Sequence, residues 1–380
     1  LSTFNTEFKS TDHNHTHNHV NVLHNIEVNY ALGLLIGDHL LKHYTINQFL
    51  IFNGRISFFR SFFSKAKENE KRALIYEVPM IGRESFIVME NYLKIDRPKW
   101  SNDLKLFLDK YKENSTDADL TSARLASIDW FDRRINYKTG NQNSGQYNNK
   151  SYLPPEVQNK IPKKLHETNE GKLVVFFVSS DFELLGLPEV EDHFEVSQKK
   201  LVEWLVKKSQ SGEFSLIIRM HPNLKNGSQN DIDGYMRHDG DPVSVISPSA
   251  HIDSYALAKS ADLVISYGST IGLEASYMNC NSVVCGTSYY EAFNIALHAK
   301  TLCELDRHIK SNQIVETASL HRKQNCIDVI TAIRRFSRPI NHTQVLYNIQ
   351  MYRVKFRVGL ILPMSVIIKK LLRKVLRNVI

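Results

Sequence analysis

From Val28 to Tyr44 apolar side chains recur at the three- and four-residue intervals that place them on one face of a helix. Gln48–Phe52 (QFLIF) then runs without a break until Asn53-Gly54 interrupts it, which predicts a short buried strand. A helix over Ile56–Asn69 and a second short strand, Arg72–Tyr76 (RALIY), ending at Glu77, complete a β-α-β rhythm. The second half repeats that rhythm more strongly. Strands are predicted at Lys172–Val178 (KLVVFFV), Phe214–Met220 (FSLIIRM), Asp262–Ser266 (DLVIS) and Asn281–Cys285 (NSVVC). Helices are predicted at Val196–Ser209, Ser254–Ser260 and Ile271–Met278. Strands that are apolar throughout and alternate with helices imply a parallel sheet covered on both faces. Ligands of such sheets bind beyond the carboxyl ends of the strands.

Between these halves, residues 136–170 are rich in Asn, Gly, Gln, Lys and Pro and read as a linker or surface excursion, with a boundary near 165. The expected division is an α/β unit over 1–165, which lacks a recognisable opening strand, a second α/β unit over 166–340, and a basic segment over 341–380. The chain opens at Leu1 into a polar stretch without the apolar core of a secretion signal, so a cytoplasmic protein is expected, and a missing N-terminal piece would account for the absent strand. No run of about 18 apolar residues is present to span a bilayer.

Charge is distributed unevenly. Eleven of the 48 Lys/Arg and none of the 40 Asp/Glu lie in residues 329–380, which leaves 37 basic against 40 acidic side chains in the body. A nearly neutral body offers no groove for nucleic acid, and a polyanion would have to meet the tail. In residues 351–380 the apolar Val366, Ile367, Leu371, Leu372, Val375, Leu376 and Val379 share one helical face, flanked by Lys369, Lys370, Arg373, Lys374 and Arg377. That pattern fits a helix lying in the interface of an anionic membrane, or a basic helix packed on the body. The four cysteines, Cys280, Cys285, Cys303 and Cys326, show neither C-x-x-C nor zinc spacing and read as buried reduced thiols. His13, His15, His17, His19 and His24 belong to a polar leader with no Cys or carboxylate cluster beside them, so a metal site is not expected there.

Three predicted strands end in groups suited to phosphate and ribose: Ser179-Ser180-Asp181, His221-Pro222 and Tyr267-Gly268-Ser269-Thr270. Gly268 permits a tight turn, and Ser269 and Thr270 open a helix whose free N–H groups and dipole favour an anion. The plainer role for either hydroxyl is a helix cap. Pro222 holds His221 extended and ends its strand, which directs the imidazole to the sheet's upper edge; the plainer role there is a hydrogen-bonded structural histidine. Two such groups on strands of one sheet, both pointing at the same crevice, indicate one shared phosphate site.

Other chemistries fit less well. Asp231-Ile232-Asp233 and Asp239-Gly240-Asp241 have the letters of a cation-binding Asp-x-Asp motif but follow no apolar strand, and read as loop carboxylates. Around Ser269 the G-x-S-x-G spacing of a hydrolase elbow fails, and no G-x-G-x-x-G follows the first strand.

The succession R-M-H-P (Arg219–Pro222), I-D-S-Y-A-L-A (Ile252–Ala258), A-D-L-V-I-S-Y-G-S-T-I-G-L-E-A (Ala261–Ala275) and S-Y-Y-E (Ser288–Glu291) resembles the bacterial capsule polysaccharide biosynthesis proteins. These are GT-B type glycosyltransferases, related in layout to bacterial sialyltransferases and Kdo transferases with their His-Pro and Ser-Ser/Thr motifs. L-I-F-N-G-R (Leu50–Arg55) and Tyr76-Glu77 also resemble that family's acceptor domain. The resemblance runs over roughly residues 45–310 and is strongest over 215–291.

It implies a GT-B-like α/β fold: two Rossmann-like domains facing across a cleft, acceptor in the first, donor in the second, with a C-terminal basic helix. It implies that His221 and the Ser269/Thr270 pair hold the donor's phosphate, that Glu274 accepts from ribose hydroxyls, and that Ser179, Ser180, Arg219 and Gly268 belong to the same donor site. Asn53, Arg55 and Glu77 would face it from the first domain, Arg55 binding an anionic acceptor and Glu77 deprotonating its hydroxyl, so that Glu77 and His221 are the expected catalytic pair. The partners implied are a nucleotide-sugar donor, with a CMP-sugar favoured, and a capsular or other surface glycan or its lipid-linked precursor. Neither metal nor other cofactor is expected, and the enzyme would sit peripherally at the inner face of the membrane. A CMP-polyol phosphotransferase of a teichoic-acid-like pathway and a non-catalytic subunit of capsule export remain the alternatives.

Overall fold

The computed structural model describes residues 20–81, 85–135, 171–180, 193–226, 229–250, 252–311 and 319–339. The histidines up to His19, the expected linker over 136–170, Asp181 and the basic segment 341–380 lie outside the described residues.

The first half holds helix α1 (Val20–His43), strand β1 (Gln48–Phe52), helix α2 (Ser57–Glu68) and strands β2 (Arg72–Glu77) and β3 (Ser85–Glu90). Two long helices follow, α3 (Arg97–Asn114) and α4 (Asp117–Ile135). β1 and β2 pair in parallel, Leu50 opposite Leu74, as a strand-helix-strand unit requires. β3 runs antiparallel to β2, so this sheet is mixed and not uniformly parallel. Side chains alternate across it. Phe49, Ile51, Ala73, Ile75, Ile87 and Met89 form its core face, each no more than 8% exposed, while Leu50 on the other face is 67% exposed.

The second half begins with β4 (Leu173–Phe177) and continues through α5 (Gln198–Gln210), β5 (Ser215–Arg219), a 3-10 turn (Pro222–Asn226), α6 (Gln229–Met236) and β6 (Val243–Ile246). It proceeds through α7 (Ser254–Ser260), β7 (Leu263–Tyr267), α8 (Thr270–Tyr277), β8 (Ser282–Cys285), a 3-10 turn (Glu291–Phe293), β9 (Leu297–Ala299) and α9 (Leu302–Lys310). The six strands form one parallel sheet in the order β6-β5-β4-β7-β8-β9. Every residue of β4 and β7 is buried, because the sheet is covered twice. Val174, Phe176 and Val178 pack with Leu201, Leu205 and Leu305 on one side. Leu173, Val175 and Phe177 pack with Leu257, Ala258 and Ile271 on the other. Strand order reverses direction between β4 and β7, which makes their carboxyl ends a topological switch point, the place where open α/β sheets form a crevice.

The chain then returns. α10 (Ser319–Phe336) packs Cys326, Ile327, Ile330 and Ile333 into the core of the first half, among Trp100, Leu104, Leu108 and Phe131. The short strand β10 (Arg338–Pro339) adds antiparallel to β3. That same core takes in Leu273, Tyr277, Val284 and Tyr290 from the second half, with the Phe131 and Tyr277 rings stacked at 3.8 Å. The two α/β units are therefore joined by a continuous apolar layer behind the cleft they share.

Three of the four cysteines are buried as expected, whereas Cys303 is exposed on α9. Asp231 and Asp233 lie in α6 and not in a loop, and Asp231 is buried with Lys199 Nζ 2.6 Å away. Asp239 accepts from the Val245 N–H at 2.8 Å, so its carboxylate holds the turn before β6. Among the described residues no helix is long and apolar enough to cross a membrane.

Candidate active site

The carboxyl ends of β4, β5 and β7 meet at a cavity of about 290 Å³ whose opposite wall comes from the first half. Ser179, Ser180, His221, Asn223, Gly268, Ser269, Thr270 and Tyr289 line it on one side. Arg55, Glu77, Lys94, Arg97 and Trp100 line it on the other.

Each strand end is fixed by its own contacts. The Gln198 side chain clamps the end of β4 by accepting from the Ser179 N–H at 2.7 Å and donating to the Ser179 carbonyl at 3.1 Å. Ser179 Oγ donates to the Tyr267 carbonyl at 2.7 Å, stitching β4 to β7 across the switch point and leaving Ser180 to face the cavity. His221 Nδ1 accepts from the Asn223 N–H at 3.1 Å and lies 3.2 Å from Ser180 Oγ. An Nδ1 that accepts leaves the hydrogen of a neutral ring on Nε2, so His221 is a donor from that atom. Burial, followed by the charge of Arg219, pushes its pKa down to about 4. The imidazole is therefore neutral near pH 7 and can meet a phosphate only as a hydrogen-bond donor.

Gly268 adopts φ +58°, the left-handed region that favours glycine. A Cβ there would fall 2.7 Å from the Thr287 carbonyl and 2.7 Å from the His193 ring, and would meet the Arg97 guanidinium, so both conformation and the backbone contact exclude a larger residue. α8 starts at once after it with Ser269 as N-cap, yet the Ser269 side chain makes no capping hydrogen bond. Tyr289 Oη donates to Thr270 Oγ1 at 3.4 Å. Beside this turn His193 is buried, its Nδ1 accepting from the Thr287 N–H at 3.2 Å, and burial together with the Arg97 charge lowers its pKa to about 3.

On the facing wall the Asn53-Gly54 break is a turn in which both residues have positive φ. Asn53 Oδ1 accepts from the Arg55 N–H at 3.2 Å and from Arg55 Nε at 3.3 Å. Asn53 thus holds Arg55 toward the cavity without lining it. Glu77 ends β2 and lines the cavity, its Oε1 3.5 Å from Lys94 Nζ, which also donates to the Val78 carbonyl at 3.0 Å.

Besides Asn53, two expected site residues stand outside the cavity. Glu274 is buried, 3% exposed, in an ion pair with Arg134 of α4, and does not line the cavity. Arg219, also 3% exposed, donates from Nη1 to the Ser247 carbonyl at 2.6 Å and from Nη2 to the Ala250 carbonyl at 3.4 Å, away from the crevice. Burial lowers its pKa to about 10, so it stays charged. Conversely, Lys94, Arg97, Asn223 and Tyr289 line the cavity although no sequence motif assigned them a role. A signal for Arg97 existed in Asp96-Arg97-Pro98, an N-cap followed by a proline in the first turn, which marks the start of α3.

No protein family profile matches the chain, and no curated protein matches it. Among solved structures it is similar to the Thermosulfurimonas dismutans KpsC beta Kdo 2,4 transferase, at 14% identity over 77% of this chain and 81% of that one, with a TM-score of 0.47. The beta Kdo 2,7 transferase of the same KpsC is similar at 11% identity over 78% of each chain, TM-score 0.42. UDP-GlcNAc 2-epimerase from Neisseria meningitidis, bound to UDP-GlcNAc, is similar at 11% identity over 81% of this chain and 79% of that one, TM-score 0.30.

Proposed function

We propose that the protein is a glycosyltransferase that moves a sugar from a nucleotide-activated donor, a CMP-sugar favoured, to a surface polysaccharide or its lipid-linked precursor. The observation that carries this is the meeting of strand ends from both α/β units on one cavity, anion-binding groups on one wall and a carboxylate with cations on the other. The donor's phosphate would rest on the N-terminal turn of α8, where Ser269 and Thr270 offer hydroxyls and the first amides of the helix are free. His221, fixed as a neutral donor through Nε2, would add a hydrogen bond that strengthens as charge develops on the leaving phosphate. Glu77 would take the proton of the acceptor hydroxyl from the opposite wall, with Arg55 and Lys94 steering an anionic acceptor toward it. Because helix N-terminus and hydrogen-bond donors meet the leaving group directly, the reading takes transfer to proceed without a metal. The basic, amphipathic segment 351–380 supports a peripheral position at an anionic membrane face, close to a lipid-linked acceptor.

A panel of nucleotides and nucleotide sugars screened for thermal stabilisation tests the reading. Stabilisation by a nucleotide supports a transferase, and its complete absence points to a scaffold without turnover. Release of free nucleotide along with transferred sugar, rather than with transferred polyol phosphate, then selects between the two transferase classes.

A further inference from the structure

Among the described residues, the second half's wall of the cavity carries no cation: His221 is neutral near pH 7, and Arg219 is turned to the Ser247 and Ala250 carbonyls. The cation that faces the Gly268 turn comes from the first half. Arg97 lines the cavity with Gly268, Ser269 and Thr270, and its Nη1 donates to the Thr287 carbonyl at 3.3 Å. Its guanidinium lies against Gly268, where a Cβ would meet it.

This position is set by packing, not by a loop. Arg97 opens α3, whose start Asp96 caps by accepting from the Lys99 N–H at 3.3 Å. The same helix is docked on the second half, where the Ala292 N–H donates to Ser101 Oγ at 2.9 Å and Trp100 is 2% exposed. A cation held against the first turn of a helix stands at the positive end of that helix's dipole, an arrangement that gains once an anion lies between the two. A phosphate oxygen seated on Ser269 and Thr270 would accept from α8 and from the guanidinium together.

We propose that Arg97 is a ligand of the donor's phosphate, reaching across the cleft to complete a site that Gly268, Ser269 and Thr270 begin, and that it makes the site select nucleotides over bare nucleosides. The proposal rests on the nucleotide-sugar reading above. It also assigns the first half a share in donor binding, which the division into acceptor and donor domains does not anticipate.

The test uses the full chain, with CMP, UMP and UDP titrated calorimetrically and cytidine and uridine followed by ligand-observed NMR. Arg97→Gln is expected to weaken the best-bound nucleotide by about 10- to 150-fold, the scale of a hydrogen bond to a charged group, and to make its binding less dependent on salt. The matching nucleoside should change by less than about twofold, and Arg97→Lys should recover part of the nucleotide affinity. Nucleotide binding as tight in Arg97→Gln as in the wild type overturns the proposal. Equal losses for nucleotide and nucleoside also overturn it, by making Arg97 a latch between the halves. Should Arg97→Gln fail to fold, the nucleotide-to-nucleoside ratio of Arg97→Lys decides: a several-fold fall supports the proposal and an unchanged ratio overturns it. A wild-type protein that binds none of the three nucleotides removes the nucleotide-sugar reading itself, a result distinct from an indifferent Arg97 variant.

Discussion

Glu274 Oε1 accepts from Arg134 Nε at 2.5 Å, a pair that ties α8 of the second half to α4 of the first. The carboxylate that the family resemblance assigns to ribose is thereby committed to the join between the halves. Glu274→Gln should lower unfolding stability by about 3 kcal/mol, near the lower end of the cost of breaking a buried pair, because Arg134 keeps some contact with water. Urea unfolding midpoints measure this. Nucleotide affinity of the folded variant should stay within about twofold, and a variant of unchanged stability with weakened nucleotide binding would return Glu274 to the ribose.

His221 gives a second prediction. Removing its Nε2 donor in His221→Ala should abolish transfer and weaken nucleotide binding by about 1.5 to 3 kcal/mol, while the protein still unfolds cooperatively. Turnover equal to wild type would place the phosphate elsewhere. The neutral ring also predicts that kcat/KM shows no ionisation of His221 between pH 6 and 8.

Acid stability follows mainly from two of the four histidines whose pKa values burial lowers, His193 to about 3 and His221 to about 4, with His238 and His298 shifted in the same direction. Below pH 6.5 the unfolded chain binds protons at these positions and the folded chain does not, so stability falls as pH drops from about 6.5 toward 4. His193 and His221 together contribute a slope of up to about 2.7 kcal/mol per pH unit. Denaturant melts at pH 7, 6 and 5 test it. His221→Asn should lower the slope between pH 6 and 5 by up to about 1.4 kcal/mol per pH unit, and an unchanged slope would show that the ring titrates normally in the fold.

The turn at Gly268 is the least tolerant position of the cavity. Gly268→Ala meets both a positive φ and the Arg97 guanidinium, so nucleotide binding should be lost before the fold is. Ser269→Ala with Thr270→Ala should weaken nucleotide binding by about 1 to 3 kcal/mol. Calorimetric titration of both variants provides the measurement, and wild-type dissociation constants in either would move the anion site away from α8.

The basic segment supplies the last prediction. Deleting residues 351–380 should release the protein from anionic liposomes and leave a residual binding insensitive to salt. Continued sedimentation of the truncated protein, or equal binding of the full chain to neutral vesicles, would exclude an electrostatic anchor. Loss of cooperative unfolding would show that the segment completes the body.

The sequence disclosed what depends on local pattern. β1 and α7 fall at their expected residues, and β4, β5, β7 and β8 within one or two, because each strand is a continuous apolar run closed by a polar break. The cavity's second-half wall followed from the same runs, since Ser180, His221 and Ser269 stand immediately after them. What stayed hidden depends on distance in the chain. Arg97 stands against the Gly268 turn because α3 docks on the second half through Thr287 and Ala292, contacts across about 190 positions. Glu274 and Arg219 sit on the right elements, but the partners that turn them away, Arg134, Ser247 and Ala250, lie 140, 28 and 31 residues off. β3 carries an unbroken apolar run of its own, Phe86–Met89, and was not among the expected strands; it pairs antiparallel to β2, outside the strand-helix-strand rhythm that identified the others.

The return of α10 to the first half bears on how the molecule is made. Trp100, Leu104, Leu108 and Phe131 lack their packing partners until Cys326–Ile333 have been synthesised, by which point all six strands of the second sheet have left the ribosome. The unit translated second can therefore close first and serve as the template on which the unit translated first is finished. Completion of the core behind Arg55, Glu77 and Arg97 therefore waits on the synthesis of α10, after every strand of the second sheet.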